Sequence, residues 1–194
     1  RQALVLVPEI ALTPQLVGRF RSWFQKLDVR LAVLHSGLSD GERYDAWCRV
    51  ARGDADVVIG ARSAVFAPLD ELGLIVVDEE HDGSYKQSEG FRYHARDLAL
   101  MRGQRDRAVV ILGSATPALT TYQRARDGHL GYLALPERTA ERPLPGVQLI
   151  DLAEHRQEGL LSQPLQAALA ATLAAGEQAL LLLNRRGYAP FLLC

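Results

Sequence analysis

Five short apolar runs, rich in β-branched residues and separated by helical patterns, limit what this chain can become. They occupy residues 4–7, 30–35, 57–60, 74–77 and 109–112. Each has the length and composition of a buried strand. Between them, Thr13 and Pro14 suit an N-cap and first helical position. Leu16, Phe20, Trp23, Phe24 and Leu27 follow at helical spacing. Ser39 and Glu42 form a capping box for a helix whose apolar face is Tyr44, Trp47, Cys48 and Ala51, ending at Gly53. Further helices are expected around residues 95–101 and at Leu119 and Tyr122, the latter stopping at Gly128. Strands alternating with helices at this spacing predict an α/β fold, a mainly parallel sheet with helices on both faces.

The fourth run ends abruptly in Asp78-Glu79-Glu80-His81. Packing does not explain three adjacent carboxylates, which repel one another and resist desolvation. A divalent cation carrying a phosphate chain would accept them, one carboxylate on the metal and the next orienting a water. A solvated acidic turn after a core strand is the alternative. The residues after the other strands are of similar character: 8–15, 60–63 and 113–117 all carry hydroxyls, arginine, carboxylates or exposed amides. In a parallel sheet these turns share one edge, where ligands bind. Four such turns together favour phosphate handling, although Thr13 alone is explained by capping.

Composition narrows the class. The chain has 194 residues, 48% hydrophobic and 23% charged, with a formal net charge of -1, as in an ordinary globular protein. Nucleic-acid contact must then come from local patches. No apolar run is long enough to span a membrane, and the apolar start at 4–7 stops at Pro8 and Glu9, unlike a signal peptide. Two cysteines, Cys48 and Cys194, suit a reducing cytoplasm. Residues 136–146 are proline-rich and nearly devoid of apolar side chains, and read as a linker. Strands are expected again at 147–152 and 178–183, with a Ser162-capped alanine-leucine helix between them. Residues 1–135 thus form a first domain and 147–194 the beginning of a second.

The segment from Gly83 to Tyr93 holds Tyr85, Phe91 and Tyr93 with Lys86 and Arg92, flanked by glycine. Aromatic rings stack on unpaired bases and cations hold phosphates. Phe91 and Tyr93 have an equal claim to be core anchors for the next helix. Tyr85, Lys86 and Arg92 are the stronger DNA candidates.

These motifs together resemble the helicase superfamily with Asp-Glu-x-His signatures, and within it the bacterial primosomal, replication-restart DNA helicases. The residues carrying the resemblance are Leu6-Val7-Pro8-Glu9-Ile10-Ala11-Leu12-Thr13-Pro14-Gln15, His35-Ser36-Gly37, Arg62-Ser63-Ala64, Asp78-Glu79-Glu80-His81, Gly113-Ser114-Ala115-Thr116-Pro117 and Asn184-Arg185-Arg186-Gly187. The resemblance implies a RecA-like lobe, of the phosphate-loop NTPase type, followed by the start of a second. It implies that Asp78 coordinates the Mg²⁺ of ATP, that Glu79 polarises the attacking water, and that His81 connects to Ser114 and Thr116. Thr13, Ser36, Gly37, Arg62 and Ser63 would lie along single-stranded DNA. The family commonly has threonine where this chain has Ala61. The segment from Gly83 to Tyr93 resembles the family's aromatic-rich loop, which senses DNA and signals to the ATP site.

Several further expectations come from the resemblance alone. Cys194 matches the first cysteine of a zinc module inserted in the second lobe, whose other ligands lie beyond this sequence, since structural zinc needs four. No Gly-Lys pair occurs. The family's phosphate loop precedes Leu4 by one helix, so the chain is expected to begin just after it and to turn over no ATP by itself. The phosphate-loop strand would sit beside 109–112, leaving an open edge that invites association. Partners implied are single-stranded and forked DNA, primosome proteins and single-strand-binding protein, in a bacterial cytoplasm at the nucleoid and with no membrane. The competing readings are a non-catalytic helicase-like binding module, a metal-dependent hydrolase, and a related branched-DNA translocase.

Overall fold

A computed structural model describes residues 1–8, 11–137, 145–152 and 161–182. The chain divides into two compact units, Arg1–Ala134 and Leu135–Cys194. In chain order the elements are β1 (Gln2–Leu6), α1 (Pro14–Gln25), β2 (Leu31–Leu34), α2 (Asp40–Ala51), β3 (Val57–Gly60), β4 (Leu72–Val77), β5 (Lys86–Gln87), β6 (Tyr93–His94), α3 (Ala95–Asp106), β7 (Val109–Leu112), α4 (Leu119–Arg126) and α5 (Gln163–Ala174).

The first unit is built on a five-stranded sheet in the order β2-β3-β1-β4-β7, every pair parallel. This is the RecA-like α/β architecture. Alternation along each strand divides the sheet into two faces. Ala3, Val5, Val57 and Ile59 meet Leu16, Phe20 and Phe24 of α1 on one face. On the other, Leu4, Leu6, Val58, Ile75 and Val77 meet Ala46 and Val50 of α2 and Ala95, Leu98 and Ala99 of α3. The chain therefore leaves β1 toward one face and β4 toward the other, although these strands are neighbours. Adjacent strands with diverging exits open a crevice at their C-terminal ends. Asp78 stands at that crevice, its backbone N–H donating to the Leu6 carbonyl at 2.9 Å.

Local chemistry sets the helix ends. Thr13 Oγ1 accepts from the Leu16 N–H at 3.2 Å, with Pro14 in the first turn. Ser39 and Glu42 complete a reciprocal capping box at α2. Gly60 permits a close approach: a Cβ there would collide with the Leu34 carbonyl and Ala64. The segment after β3 can then turn tightly under the sheet, burying Ala64, Val65, Ala67 and Leu69. Arg102 of α3 fastens that segment, donating to the Val65 and Leu69 carbonyls at 2.8 and 3.2 Å.

Several sequence expectations need correcting. Trp23 and Leu27 are 60% and 69% exposed, and Tyr44 and Trp47 are exposed as well. On α1 the packed face is narrower than the apolar stripe, and on α2 it is a different one, Ala46 and Val50 in place of Tyr44, Trp47, Cys48 and Ala51. Residues 147–152 and 178–182 form no strand. A strand needs partners for its N–H and C=O groups, and the sheets formed by the described residues do not include these stretches. Ser162 stands at the N-cap of α5, but its side chain makes no capping bond. The antiparallel pair β5–β6, with Lys86 opposite His94 and Gln87 opposite Tyr93, is too short for any sequence pattern to reveal. At the far end of the sheet β7 pairs, among the described residues, only with β4. Its Val109 and Ile111 are 64% and 49% exposed.

The edge opposite the crevice is tied by Arg30 and Asp56. The guanidinium Nε and Nη2 reach the carboxylate at 3.0 and 2.8 Å, and the Arg30 N–H adds a third bond at 2.9 Å. These bonds hold the Asp56 carboxyl at about 2 against an ordinary 3.8. A carboxyl with a depressed folded pKa binds fewer protons when folded. Its stabilisation is therefore present above the unfolded value and lost as pH falls through the folded one. Acid titration of the melting temperature should show a descending limb between about pH 4 and pH 2, flattened in Asp56→Asn. The effect is expected to stay below about 1 kcal/mol, because both side chains are well solvated.

Candidate functional site

The acidic turn after β4 gives its three carboxylates three different environments. Asp78 is exposed, and its Oδ1 accepts from the Glu79 N–H at 3.1 Å. Glu79 takes a φ of 46°, in the left-handed region that non-glycine residues seldom adopt. Glu80 is 1% exposed. Its Oε1 accepts from the Ala118 N–H at 2.7 Å, and its Oε2 accepts from Thr121 Oγ1 and Arg96 Nη1 at 2.9 and 3.1 Å. A buried carboxylate requires such pairing. Glu80 thus staples the end of β4 to the starts of α3 and α4. The sequence reading treated it as one more acid in a run, since a charge pattern does not reveal which member turns inward.

His81 crosses to the turn after β7. Its Nδ1 lies 2.6 Å from Ser114 Oγ and its Nε2 lies 3.5 Å from Thr116 Oγ1. The same Nδ1 stands 3.6 Å from Glu79 Oε2. Ser114 Oγ also accepts from the Thr116 N–H at 3.0 Å, and the Glu80 N–H donates to the Gly113 carbonyl at 3.0 Å. Asp78, Glu79, His81, Ser114 and Thr116 therefore form one connected constellation. An acceptor-rich acidic turn beside a hydroxyl-rich turn is suited to a cation with its phosphates.

A second region lies on the β2–β3 side of the same edge. A groove of about 460 Å³ is lined by Ser36, Ala61, Arg62, Ser63, Phe66, Gln87, Glu89, Phe91 and Tyr93. Phe66 and Tyr93 meet edge to face with centroids 5.0 Å apart, and Phe91 lies 6.0 Å from Tyr93. Three of the expected DNA residues, Ser36, Arg62 and Ser63, meet the aromatic loop here. Phe66 and Gln87 were not expected. Phe66 sits in a 3₁₀ turn, where no apolar periodicity marks it. Lys86 and Arg92 are exposed outside the groove lining, as are Gly37 and Thr13, whose hydroxyl is engaged as the α1 cap. The Gly37 N–H donates to His35 Nδ1 at 3.1 Å.

Tyr85 corrects the sequence reading. Instead of presenting its ring to DNA it is 0% exposed, and its hydroxyl donates to the Asp78 carbonyl at 2.6 Å. Burial is the main cause raising its phenol pKa well above the ordinary range, with Asp78, Asp82 and Glu79 adding to it. Phe91, 77% exposed, is the ring open to a ligand and no core anchor. Asp82 turns the chain into this segment by accepting from the Ser84 N–H at 2.7 Å. Ser84 bonds hold its carboxyl below the usual range. Arg62 Nη1 donates to the Ser84 and Lys86 carbonyls at 3.0 and 2.9 Å.

Among the described residues no group of three or more histidine, cysteine or acidic side chains stands ready to hold a metal. Nor is any helix among them long and apolar enough to cross a membrane. Cys194, Glu9, Ile10 and the Asn184–Gly187 motif lie outside the described residues. A further hollow of about 390 Å³ at the opposite edge, beside Arg30 and Asp56, lies at the N-terminal ends of the strands and away from these turns.

Residues 1–125 match the DEAD/DEAH box helicase family. Over its whole length the chain is 48% identical to the replication restart protein PriA of Bacillus subtilis (strain 168), of which it covers 24%. It is 46% identical to that of Synechocystis sp., again covering 24%. The chain thus spans about a quarter of the length of these relatives. Among solved structures, RecG bound to a three-way DNA junction aligns with 66% of this chain and 16% of its own, at 23% identity and a TM-score of 0.45.

Removal of the Glu80 carboxylate should be costly because it leaves the Ala118 N–H and Thr121 hydroxyl without this acceptor. It also takes the buried partner from Arg96, whose side chain is 13% exposed and keeps Asp97 at 3.0 Å. Glu80→Ala is expected to lower unfolding free energy by about 3–5 kcal/mol, read by urea denaturation of the isolated first unit. A loss below about 1 kcal/mol would mean that solvent already satisfies the pair.

Proposed function

The chain belongs to the DEAD/DEAH box helicase family, and from that premise we propose that it carries the first motor lobe of an ATP-driven, 3′-to-5′ replication-restart DNA helicase. The observation carrying this reading is the constellation at one sheet edge, with Asp78 and Glu79 at the mouth of the β1–β4 crevice and His81 bonded to Ser114. ATP with magnesium would sit at the turns after β4 and β7, and single-stranded DNA in the aromatic groove. Forked DNA, primosome proteins and single-strand-binding protein are the proposed partners, at the nucleoid in the bacterial cytoplasm.

The donor set suits this cofactor. Magnesium takes one or two carboxylates and completes its shell with phosphate oxygens and water. Asp78 offers such a carboxylate, exposed and with only Oδ1 engaged, by its neighbour's N–H. When bound, the cation neutralises charge building on the phosphates. The chain's own groups supply the rest. Glu79 accepts a proton from the attacking water and orients it. His81, between Glu79 and Ser114, ties the state of that carboxylate to the turn after β7. On the DNA side Phe91 and Tyr93 offer ring faces to bases, and Ser36, Ser63 and Arg62 offer donors to phosphates, with Lys86, Arg92, Thr13 and Gly37 extending the track. No Gly-Lys pair is available in these residues to cradle the phosphates, so the isolated chain is proposed to turn over no ATP. Cys194 would begin the zinc module of the longer protein.

In the full-length protein, Glu79→Gln should lower DNA-stimulated ATP hydrolysis by about 10²–10⁴-fold and leave strand binding intact. Hydrolysis at the wild-type rate would refute the assignment. Phe91→Ala should weaken binding of an unpaired oligonucleotide by about 1–3 kcal/mol, the worth of one stacked base, measured by fluorescence anisotropy. Unchanged affinity would remove Phe91 from the DNA path.

A further inference from the structure

Two segments of opposite hydrogen-bonding character line the aromatic groove. The turn after β3 brings the Arg62 guanidinium and the Ser63 hydroxyl, groups that donate. The β5–β6 segment brings Gln87 and Glu89. Gln87 stands opposite Tyr93 in the β5–β6 register, and opposite residues of an antiparallel pair share one side of the ribbon. The Gln87 amide is therefore set beside the Tyr93 ring. Its Nε2 donates to the Glu89 carbonyl at 2.7 Å. A carbonyl only accepts, so the amide nitrogen must face it, and Oε1 is left with no partner among the described residues. The same bond folds the turn between Gln87 and Glu89. Gly90 follows with a φ of 64°, and this left-handed step joins Glu89 to Phe91, the most exposed of the groove's rings. Glu89 is the one acid among the described residues lining the groove. A carboxylate there repels the phosphates of a strand. It suits a strand only where the N–H groups of a base edge come to it.

We infer that the groove seats one unpaired base by its hydrogen-bond donors, with guanine favoured and thymine disfavoured, and that Glu89 and Gln87 set this preference. This rests on the DNA reading proposed above and adds what the groove selects. Guanine carries N1–H and N2–H on adjacent atoms, spaced to meet both oxygens of a carboxylate at once. The second N2 hydrogen is left for Gln87 Oε1. Thymine offers one N–H between two carbonyl oxygens, which a carboxylate repels. Adenine and cytosine each offer one amine beside a ring nitrogen that only accepts. Bases drawn out of a stack are read by stacking and by their pairing edge together. Here Phe91 and Tyr93 supply the stacking, and Arg62 and Ser63 take the flanking phosphate. Stacking alone tolerates any sequence, because every base has a π-face. A preference among bases must therefore come from the polar edge.

The test compares oligonucleotides of equal length and charge on the full-length protein, by fluorescence anisotropy in a lithium buffer that discourages guanine quartets. The probes are oligodeoxythymidine, a repeat alternating thymidine with deoxyguanosine, and the same repeat with deoxyinosine in place of deoxyguanosine. Wild type should bind the guanine repeat about fivefold or more tighter than oligodeoxythymidine, the lower end for one bidentate pair. Inosine keeps N1–H and lacks the N2 amine, and its repeat should lose most of that advantage. Glu89→Gln replaces one acceptor oxygen by a donor at nearly unchanged shape, and the residue is exposed, so no packing is lost. Its guanine-to-thymine ratio should fall to within about twofold of unity. A purely electrostatic role for Glu89 would shift both probes equally and leave the ratio as in wild type. A wild-type ratio in Glu89→Gln overturns the proposal, as does an inosine repeat bound as tightly as the guanine repeat. A ratio below about twofold in the wild-type protein overturns it too, and leaves the DNA-binding groove in place when Phe91→Ala weakens both probes. If Phe91→Ala changes neither affinity, the groove reading itself is removed.

Discussion

Parallel pairing of β1 with β4 is the constraint from which the rest follows. These neighbours run in the same direction, but their chains depart toward opposite faces, α1 on one and α3 on the other. No helix can cover the point where they part. The crevice is a consequence of topology, and it is bordered by whatever residues end the two strands. Here one border is the Asp78 turn, anchored to β1 by the Asp78 N–H on the Leu6 carbonyl. The other strands, being parallel, bring His35-Ser36-Gly37, Ala61-Arg62-Ser63 and Gly113-Ser114 to the same edge.

Within that frame, three consecutive carboxylates acquire separate tasks through backbone direction alone. The left-handed step at Glu79 ends the alternation of β4. It leaves Asp78 and Glu79 outward and turns Glu80 into the core, where it meets Arg96, Thr121 and the Ala118 N–H. The buried member makes the outward members possible, because it holds α3 and α4 against the turn. Two exposed acids on an unsupported turn would repel one another and spread apart. His94, at the N-cap of α3, belongs to the same packed layer, and burial, with Arg96 beside it, lowers its imidazole pKa.

Strand positions were legible from the sequence because each core strand is a compact apolar run. Helix starts were legible because Thr13, Pro14, Ser39 and Glu42 carry their chemistry locally. Spatial order was not, since nothing in residues 31–34 says that β3 lies between them and β1. Tyr85 was misread for a related reason. It sits in a polar, glycine-flanked stretch with no periodicity, and its burial depends on the Asp78 carbonyl seven residues earlier. Phe66 escaped notice because it belongs to a one-turn helix, where no apolar periodicity marks it, although it lines the groove and meets Tyr93 edge to face. Residues 147–152 and 178–182 have strand composition, but composition does not fix strand pairing, and they belong to neither sheet of the described residues.

Metal-directed backbone cleavage asks where the nucleotide's cation sits with the fewest assumptions. Ferrous ion would replace magnesium beside a non-hydrolysable ATP analogue in the full-length protein, hydrogen peroxide would be reduced at the ion to hydroxyl radical, and ascorbate would return the ferric ion to ferrous. Cuts concentrated around residues 77–80 and 113–116, and dependent on the analogue, are what the acidic turn predicts. Analogue-dependent cuts confined to other parts of the chain, with these two turns intact, would contradict it.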